Sequence, residues 1–331
     1  MTAPQQPSTT HLLIASADRV GLHQLDLAAG TCQQVGDPLP LTTPLGLVAS
    51  RHGGWVTGFD EDGVVLPVLA GPGGLRPGPR SSSGGAVPCH IAVVTDDGAS
   101  GAAETVAVAN YTGNSVGVVR VADATDPDGS SELVDVVNFG EGSHPHQVLR
   151  HGAQWVVSDL GLDCLHVLDP ADLHGDAVKI DLGEGSGPRD AVAIDESTLV
   201  VALEVANAAV LVRLERDGER ITGGTVTARV DLTGDPADSH PSQILRASDG
   251  RVHVLNRGPQ TLCTLSVSGD DLTLDGELAI GAWPMDLVEL DGQLVIACRD
   301  AEALVCVDVT TLQQTASIPA PSPAALAILT P

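Results

Sequence analysis

A proline-led segment recurs along nearly the whole chain, and it constrains the fold more than any other feature. Pro44-Leu45-Gly46, Pro88-Cys89-His90, Pro145-His146-Gln147, Pro188-Arg189-Asp190, Pro241-Ser242-Gln243 and Pro284-Met285-Asp286 each lead into a short apolar strand. A polar turn and a second apolar strand follow, as in GPRD-AVAI and then LVVALE, or WPMD-LVEL and then LVIACR. The segments lie some forty to sixty residues apart, the length of one four-stranded propeller blade. A helical repeat of that length would carry apolar residues at i, i+3, i+4 and i+7. Here the apolar runs are short, rich in Val, Leu and Ile, and broken every few residues by Gly, Asp or Pro. The expectation is an all-β, seven-bladed β-propeller.

The two ends of the chain fit a closed ring. HLLIA and VGLHQLDL come first, with no room before them for a blade, and PSPAALAILTP comes last with nothing after it. If Ala324 to Leu329 pairs with the N-terminal strands, the terminal segment completes the first blade and removes an exposed sheet edge. Residues 1–10 read as a disordered tail and 11–331 as one propeller domain. The Gly/Pro/Ser-rich stretch from Gly71 to Gly85 reads as a surface loop with no packing role. Tyr111-Thr112-Gly113-Asn114 reads as a hairpin turn, with Gly113 free to take a positive φ.

Composition narrows the function. Asp plus Glu number 43 against 16 Lys plus Arg, a formal charge of −27, and Lys179 is the sole lysine. Nucleic acid and anionic membranes are therefore not expected partners, because both require a basic footprint. Arginines that bind an anionic substrate should be gathered in one place. Aromatic residues make up 2% of the chain, so Val, Leu, Ile and Ala must build the core. The six cysteines show no metal-binding spacing, and Cys263, Cys298 and Cys306 fall inside expected strands as small apolar residues. No apolar run spans a membrane, and a reduced, cytoplasmic protein is the simplest expectation. The sequence leaves the oligomeric state open.

The blade motifs PCHIAV…VAVANYTGNSVGV, HPHQVL…VSDLGLDCLHVL, GPRDAVAI…ALEVANAAVLV, SQIL…VHVLNRGPQTL and WPMDLVEL…VIACRDAEALVCV resemble successive blades of the seven-bladed propeller lactonases. That family includes the propeller-type 6-phosphogluconolactonases and is related to the carboxymuconate-lactonising enzymes. The resemblance covers residues from about 40 to the end. It implies a catalytic cleft at one mouth of the central channel, built from a His in P-H-x-H, an Arg in G-P-R, a Glu after the next strand and an Arg in N-R-G. In this chain these fall on His146, Arg189, Glu204 and Arg257. Relatives commonly carry Asn-Glu where Leu203-Glu204 stands, and W-P-R-D where this chain has Trp283-Pro284-Met285-Asp286. Without that arginine, recognition of a phosphorylated substrate stays open.

The implied chemistry is hydrolysis of a sugar or other anionic lactone, such as 6-phosphogluconolactone of the pentose phosphate route. No cofactor and no metal are expected. His146 and Glu204 would divide the proton transfers, and Arg189 and Arg257 would stabilise an oxyanion or clamp a carboxylate or phosphate. No G-x-S-x-G elbow supports a nucleophilic serine. Plainer readings stand beside these. His144 could be the working histidine, or both histidines could cap turns. Arg189 could pair with neighbouring Asp190, and Arg257 could only brace its turn. Asp159 and Asp163 could bind a cation, although acidic turn residues usually make local caps. A muconate-type cycloisomerase would use similar residues, and a propeller can also be a binding scaffold with no chemistry.

Overall fold

The structure, a computed structural model, describes residues 10–59, 63–96, 103–123, 126 and 129–329. Every regular element among them is a β-strand, and the strands form seven sheets arranged as consecutive blades. Six blades are built from consecutive strands. The fourth is Pro145–His151, Gln154–Asp159, Cys164–Leu168 and Val178–Asp181, in that order from the inside outwards. The first blade takes its innermost strand, Ala325–Leu329, from the C-terminus and its outer three from Thr10–Ser16, Arg19–Asp26 and Thr31–Pro40. Its register runs from His11 opposite Leu329 to Ala15 opposite Ala325, the closure expected from the terminal segments. Each innermost strand packs on the next, round to the second blade's Leu47–Ser50 against Ala325–Leu329. No helix among the described residues is long and apolar enough to cross a membrane. The expected tail lies outside the described residues except for Thr10, which begins a strand.

The core sits between blades, where facing sheets bury Val, Leu, Ile and Ala. Between the fourth and fifth blades, Val156, Leu165 and Val167 meet Leu199, Val201 and Val210, all nearly or fully buried. Trp55 is wholly buried, and its indole N–H donates to Glu104 Oε2 at 2.6 Å, so its one polar atom is satisfied.

The recurring proline sets a register that repeats from blade to blade. Pro88, Pro145, Pro188 and Pro284 lie opposite Asn110, Asp159, Leu203 and Cys298, the last residues of the neighbouring strands. Pro241 lies opposite Asn256, one residue before its strand ends at Arg257. In five of the six segments the residue after the proline, Leu45, Cys89, His146, Arg189 or Met285, lines the channel, and in the remaining one Gln243 does. In four segments the second residue after the proline reaches sideways to the backbone of the next blade. His90 Nδ1 accepts from Val148 N–H at 3.4 Å, and Gln147 holds both the N–H and the carbonyl of Ala191 at 2.9 and 3.1 Å. Asp190 accepts from Ile244 N–H at 3.2 Å, and Asp286 from Leu326 N–H at 2.7 Å. The Asp286 bond crosses the seam where the C-terminal strand closes the ring.

Two local expectations are corrected. The stretch from Gly71 to Gly85 contains the strands Gly74–Pro77 and Ser81–Ser82, and it does pack. Leu75 is buried in the core shared by the first two blades, and the Ser83 carbonyl accepts a 2.9 Å bond from Asn110 Nδ2. Polar composition concealed a short outer strand that needs only one apolar anchor. In the Tyr111–Asn114 turn it is Asn114 that takes the left-handed conformation, at φ 52°. Gly113 is required by space instead, since a Cβ there would lie 2.6 Å from Ala86 N.

Candidate active site

At one mouth of the channel, three residue positions from successive blades converge because the register repeats. They are the residue before the proline, the residue after it, and the residue that directly follows the second strand or, in the sixth blade, ends it. In blades three to seven the last position holds Tyr111, Leu160, Glu204, Arg257 and Arg299. Four of them are fixed by backbone bonds to the residue before the proline: Tyr111 N–H to Val87 O at 2.9 Å, Leu160 N–H to His144 O at 3.1 Å, Glu204 N–H to Gly187 O at 2.8 Å, and Arg299 N–H to Trp283 O at 3.1 Å.

Glu204 is the hub of this cluster. Arg189 Nη1 donates to its Oε2, and Arg257 Nη2 donates to its Oε1 at 2.9 Å. His240 Nδ1 lies 3.9 Å from Oε1. The ionic side chains are mostly buried, with exposures of 17% for Arg189, 18% for Glu204 and 10% for Arg257. Burial alone would raise the Glu204 carboxyl. The charges of Arg189 and Arg257 outweigh it and hold the group below the ordinary glutamate value, so Glu204 is ionised at neutral pH. Burial, with Arg189 close by, pushes Arg257 down to about 9. Arg257 is oriented further by Nε donating to His240 O at 3.2 Å, so it does more than brace its turn. Arg189 does not pair with Asp190, whose carboxylate turns to Ile244 N–H of the sixth blade.

His146 lies in the wall of a channel cavity of about 190 Å³, together with Cys89, His90, Arg189, Asp190, Met285 and Asp286. Burial, reinforced by Arg189, His90 and Arg257, holds its imidazole well below the usual histidine value, so it is neutral at pH 7. His144 is placed differently. It stacks on Tyr111 with ring centroids 4.6 Å apart, and its Nδ1–H donates to the Tyr111 carbonyl at 3.0 Å. His146 meets the same Tyr111 ring edge-on at 5.9 Å. Cys89 offers no nucleophile: burial pushes its thiol up to about 12, and its Sγ faces the carbonyls of Ala109, Pro145 and His146.

The four residues singled out in the sequence therefore meet at one mouth, with Glu204 joining two of the others directly. Sequence reasoning missed Tyr111, His240, Trp283 and Arg299. The signal was present, because each sits before the proline or directly after the second strand. Trp283 takes φ 54°, a strained conformation for a bulky residue, and its N–H donates to Gln260 Oε1 at 2.7 Å. Its ring carries two guanidinium groups, Arg257 at 5.6 Å and Arg299 at 5.3 Å from the centroid. Scarce positive charge is thus concentrated at this mouth, as expected for an anionic ligand.

Asp159 and Asp163 organise loops. Asp159 accepts from Ser143 Oγ, from the N–H groups of His144, Gly161 and Leu162, and from His166 Nε2. Asp163 accepts from Gly185 N–H, Ser186 Oγ and Gly187 N–H. Asp159, Cys164 and His166 come within ligand distance of one another, but the Asp159 oxygens are already occupied by these bonds. A larger cavity of about 650 Å³ opens on the opposite face between the first two blades. His11, Arg51, His52 and Arg76 line it and, among the described residues, no carboxylate does, unlike the mouth with Glu204.

Comparison with known proteins agrees with this architecture. No curated protein matches the sequence significantly. Among solved structures, a candidate 6-phosphogluconolactonase from Bacteroides fragilis superposes with a TM-score of 0.80 at 19% identity, covering 99% of this chain and 100% of its own. The periplasmic gluconolactonase of Pseudomonas aeruginosa gives 0.80 at 19% identity over 98% and 99% of the two chains. A Lactobacillus plantarum protein gives 0.81 at 20% identity over 97% and 100%. At such identities the likeness establishes the fold. Residues 30–326 match the family model described as lactonase, 7-bladed β-propeller, and the chain belongs to that family.

Proposed function

We propose that this protein is a metal-independent hydrolase of sugar lactones, with 6-phosphogluconolactone as its leading substrate and the pentose phosphate route as its setting. One observation carries the reading: Glu204 clamped between Arg189 and Arg257 beside a neutral His146. A water molecule placed by His146 attacks the lactone carbonyl, and the neutral imidazole takes its proton. The remaining N–H donors of Arg189 and Arg257 face the negative charge that grows on the carbonyl oxygen. When the tetrahedral intermediate collapses, the ring C–O bond breaks and the imidazolium returns its proton to the departing ring oxygen. A hydroxy acid leaves. Glu204, ionised and doubly paired, holds the two arginines in register and carries no proton. This narrows the division of proton transfer expected from the sequence, because a carboxyl held below its ordinary value is a poor acid at neutral pH.

Six free thiols and no disulfide fit a reducing compartment, and we place the protein in the cytoplasm. The test follows acid release from 6-phosphogluconolactone and glucono-1,5-lactone side by side, with protein treated exhaustively with chelator. Hydrolysis well above the spontaneous rate, undiminished by chelation, is expected. A rate equal to the spontaneous one for both lactones would remove the reading, and loss on chelation would remove its metal-independent part.

A further inference from the structure

Arg299 directly follows the second strand of the seventh blade, as Glu204 follows that of the fifth, and Arg257 ends that of the sixth. Its partly exposed guanidinium lies over the Trp283 ring, 5.3 Å from the centroid, and Arg257 lies 5.6 Å from the same centroid. Glu204, Arg257, Trp283 and Arg299 thus form a continuous arc across three blades, running from the buried hub to an exposed rim. The charges along the arc do not balance. In direct ion pairs among the described residues, Arg189, Arg257 and Arg299 are met by Glu204 and by Asp300, and Asp300 is a weak partner. It is the adjacent residue, it accepts from Arg299 Nε at 2.8 Å and from Nη2 only at 3.5 Å, and the two side chains are 39% and 50% exposed. An exposed pair of that kind is readily shared with a competing anion. Burial is the main cause that lowers Arg257, and the charges of Arg189 and Arg299 add to it against the opposing charge of Glu204.

We infer that Arg299, carried on the strained Trp283, is the residue by which the site selects lactones bearing a negatively charged group away from the reacting carbonyl. The selection rests on the lactonase reading above. Arg189 and Arg257 are committed to Glu204 and to the carbonyl oxygen. Arg299 has its planar fork at the rim, where a phosphate or carboxylate can take two of its N–H groups at once. The Trp283 ring under the guanidinium limits the freedom it loses on binding. The chemical class is a sugar lactone with a phosphate or carboxylate on the ring substituent farthest from the carbonyl.

Two variants and two readouts test this. Arg299→Gln removes the charge at an exposed position. Asp300→Asn removes the competing carboxylate and leaves the arginine. The first readout is the ratio of kcat/KM for 6-phosphogluconolactone to that for glucono-1,5-lactone. The second is the affinity of 6-phosphogluconate relative to gluconate, measured by calorimetry and independent of turnover. Arg299→Gln is expected to lower both ratios about tenfold, the lower end for a charge-assisted hydrogen bond, mainly through KM. Asp300→Asn is expected to raise both. The parent's preference should weaken as sodium chloride is raised, as it does for an exposed charge, and that dependence should flatten in Arg299→Gln. Ratios indistinguishable from the parent in Arg299→Gln would overturn the assignment. A parent that opens neither lactone would sink the hydrolase reading alone, and the calorimetric ratio would still decide the role of Arg299.

Discussion

Replacing Glu204 by Gln should affect stability and turnover by separate routes, and both can be sized from the geometry. The substitution keeps the shape and removes the charge that Arg189 and Arg257 share. Two guanidinium groups would then face each other across a neutral amide, in a site where all three side chains are less than one-fifth exposed. Removing one partner of a buried ion pair costs about 3–5 kcal/mol, and the partial exposure here argues for the lower end, about 3 kcal/mol. With an unfolding entropy of about 2.1 cal/mol/K per residue over 331 residues, that is a fall in Tm of about 4 °C. Turnover should fall further, about 10²–10³-fold, because the donors to the carbonyl oxygen lose their common anchor. The double variant Arg189→Gln/Glu204→Gln supplies the check. Removing one guanidinium relieves the repulsion, so the double variant should be more stable than the sum of the two single losses by at least about 1 kcal/mol. Thermal unfolding and lactone opening on the four proteins measure all of this. A Glu204→Gln variant as stable as its parent, together with strictly additive losses, would refute the idea that Glu204 holds the arginines in place.

Other predictions rest on different parts of the molecule. The acid limb of kcat/KM should lie well below pH 6.5, because His146 must be neutral to act and its folded value is depressed; a limb at or above 6.5 would contradict that role. Asp190 and Asp286 are pushed up to about 7 by burial, against 3.8 for the ordinary group, so the folded state holds extra protons between those values. Their contribution to stability is therefore fully present below about pH 4 and is lost as pH rises through 7. Denaturant midpoints should fall over that window in the parent and fall less in Asp190→Asn; equal slopes would count against the assignment. Gly113→Ala should cost about 1–3 kcal/mol through collision with Ala86, whereas Gly276→Ala, which meets nothing within 4 Å, should stay within about 0.5 kcal/mol. Denaturant unfolding of the two variants makes the comparison, and equal losses would contradict it.

Much of the ring was legible because proline punctuates it. A residue that cannot donate to the ladder marks the start of an inner strand, and its spacing gave the blade length without any pairing information. The first-blade closure was legible too, because Ala324 to Leu329 had an opener and no partner downstream. What the sequence concealed depended on register across strands. Trp283 and Arg299 are sixteen positions apart, yet a backbone bond joins them, and nothing local in CRDAE announces it. Tyr111 read as a turn residue because its neighbours Thr112 and Gly113 are turn formers. His90, Gln147, Asp190 and Asp286, two places after their prolines, are ordinary polar residues in the sequence. Their role as crossbridges appears only when the next blade's N–H is in place. Gly113 was misread because a glycine in a turn usually signals φ, whereas here the neighbouring chain simply leaves no room.

The most direct test of the account is turnover by His146→Gln against the parent, with the same lactone, over pH 5 to 8. Loss of at least about 10²-fold at every pH, with Tm close to the parent's, is predicted for the group that takes the proton from water. A His146→Gln enzyme that opens the lactone at the parent's rate would contradict it.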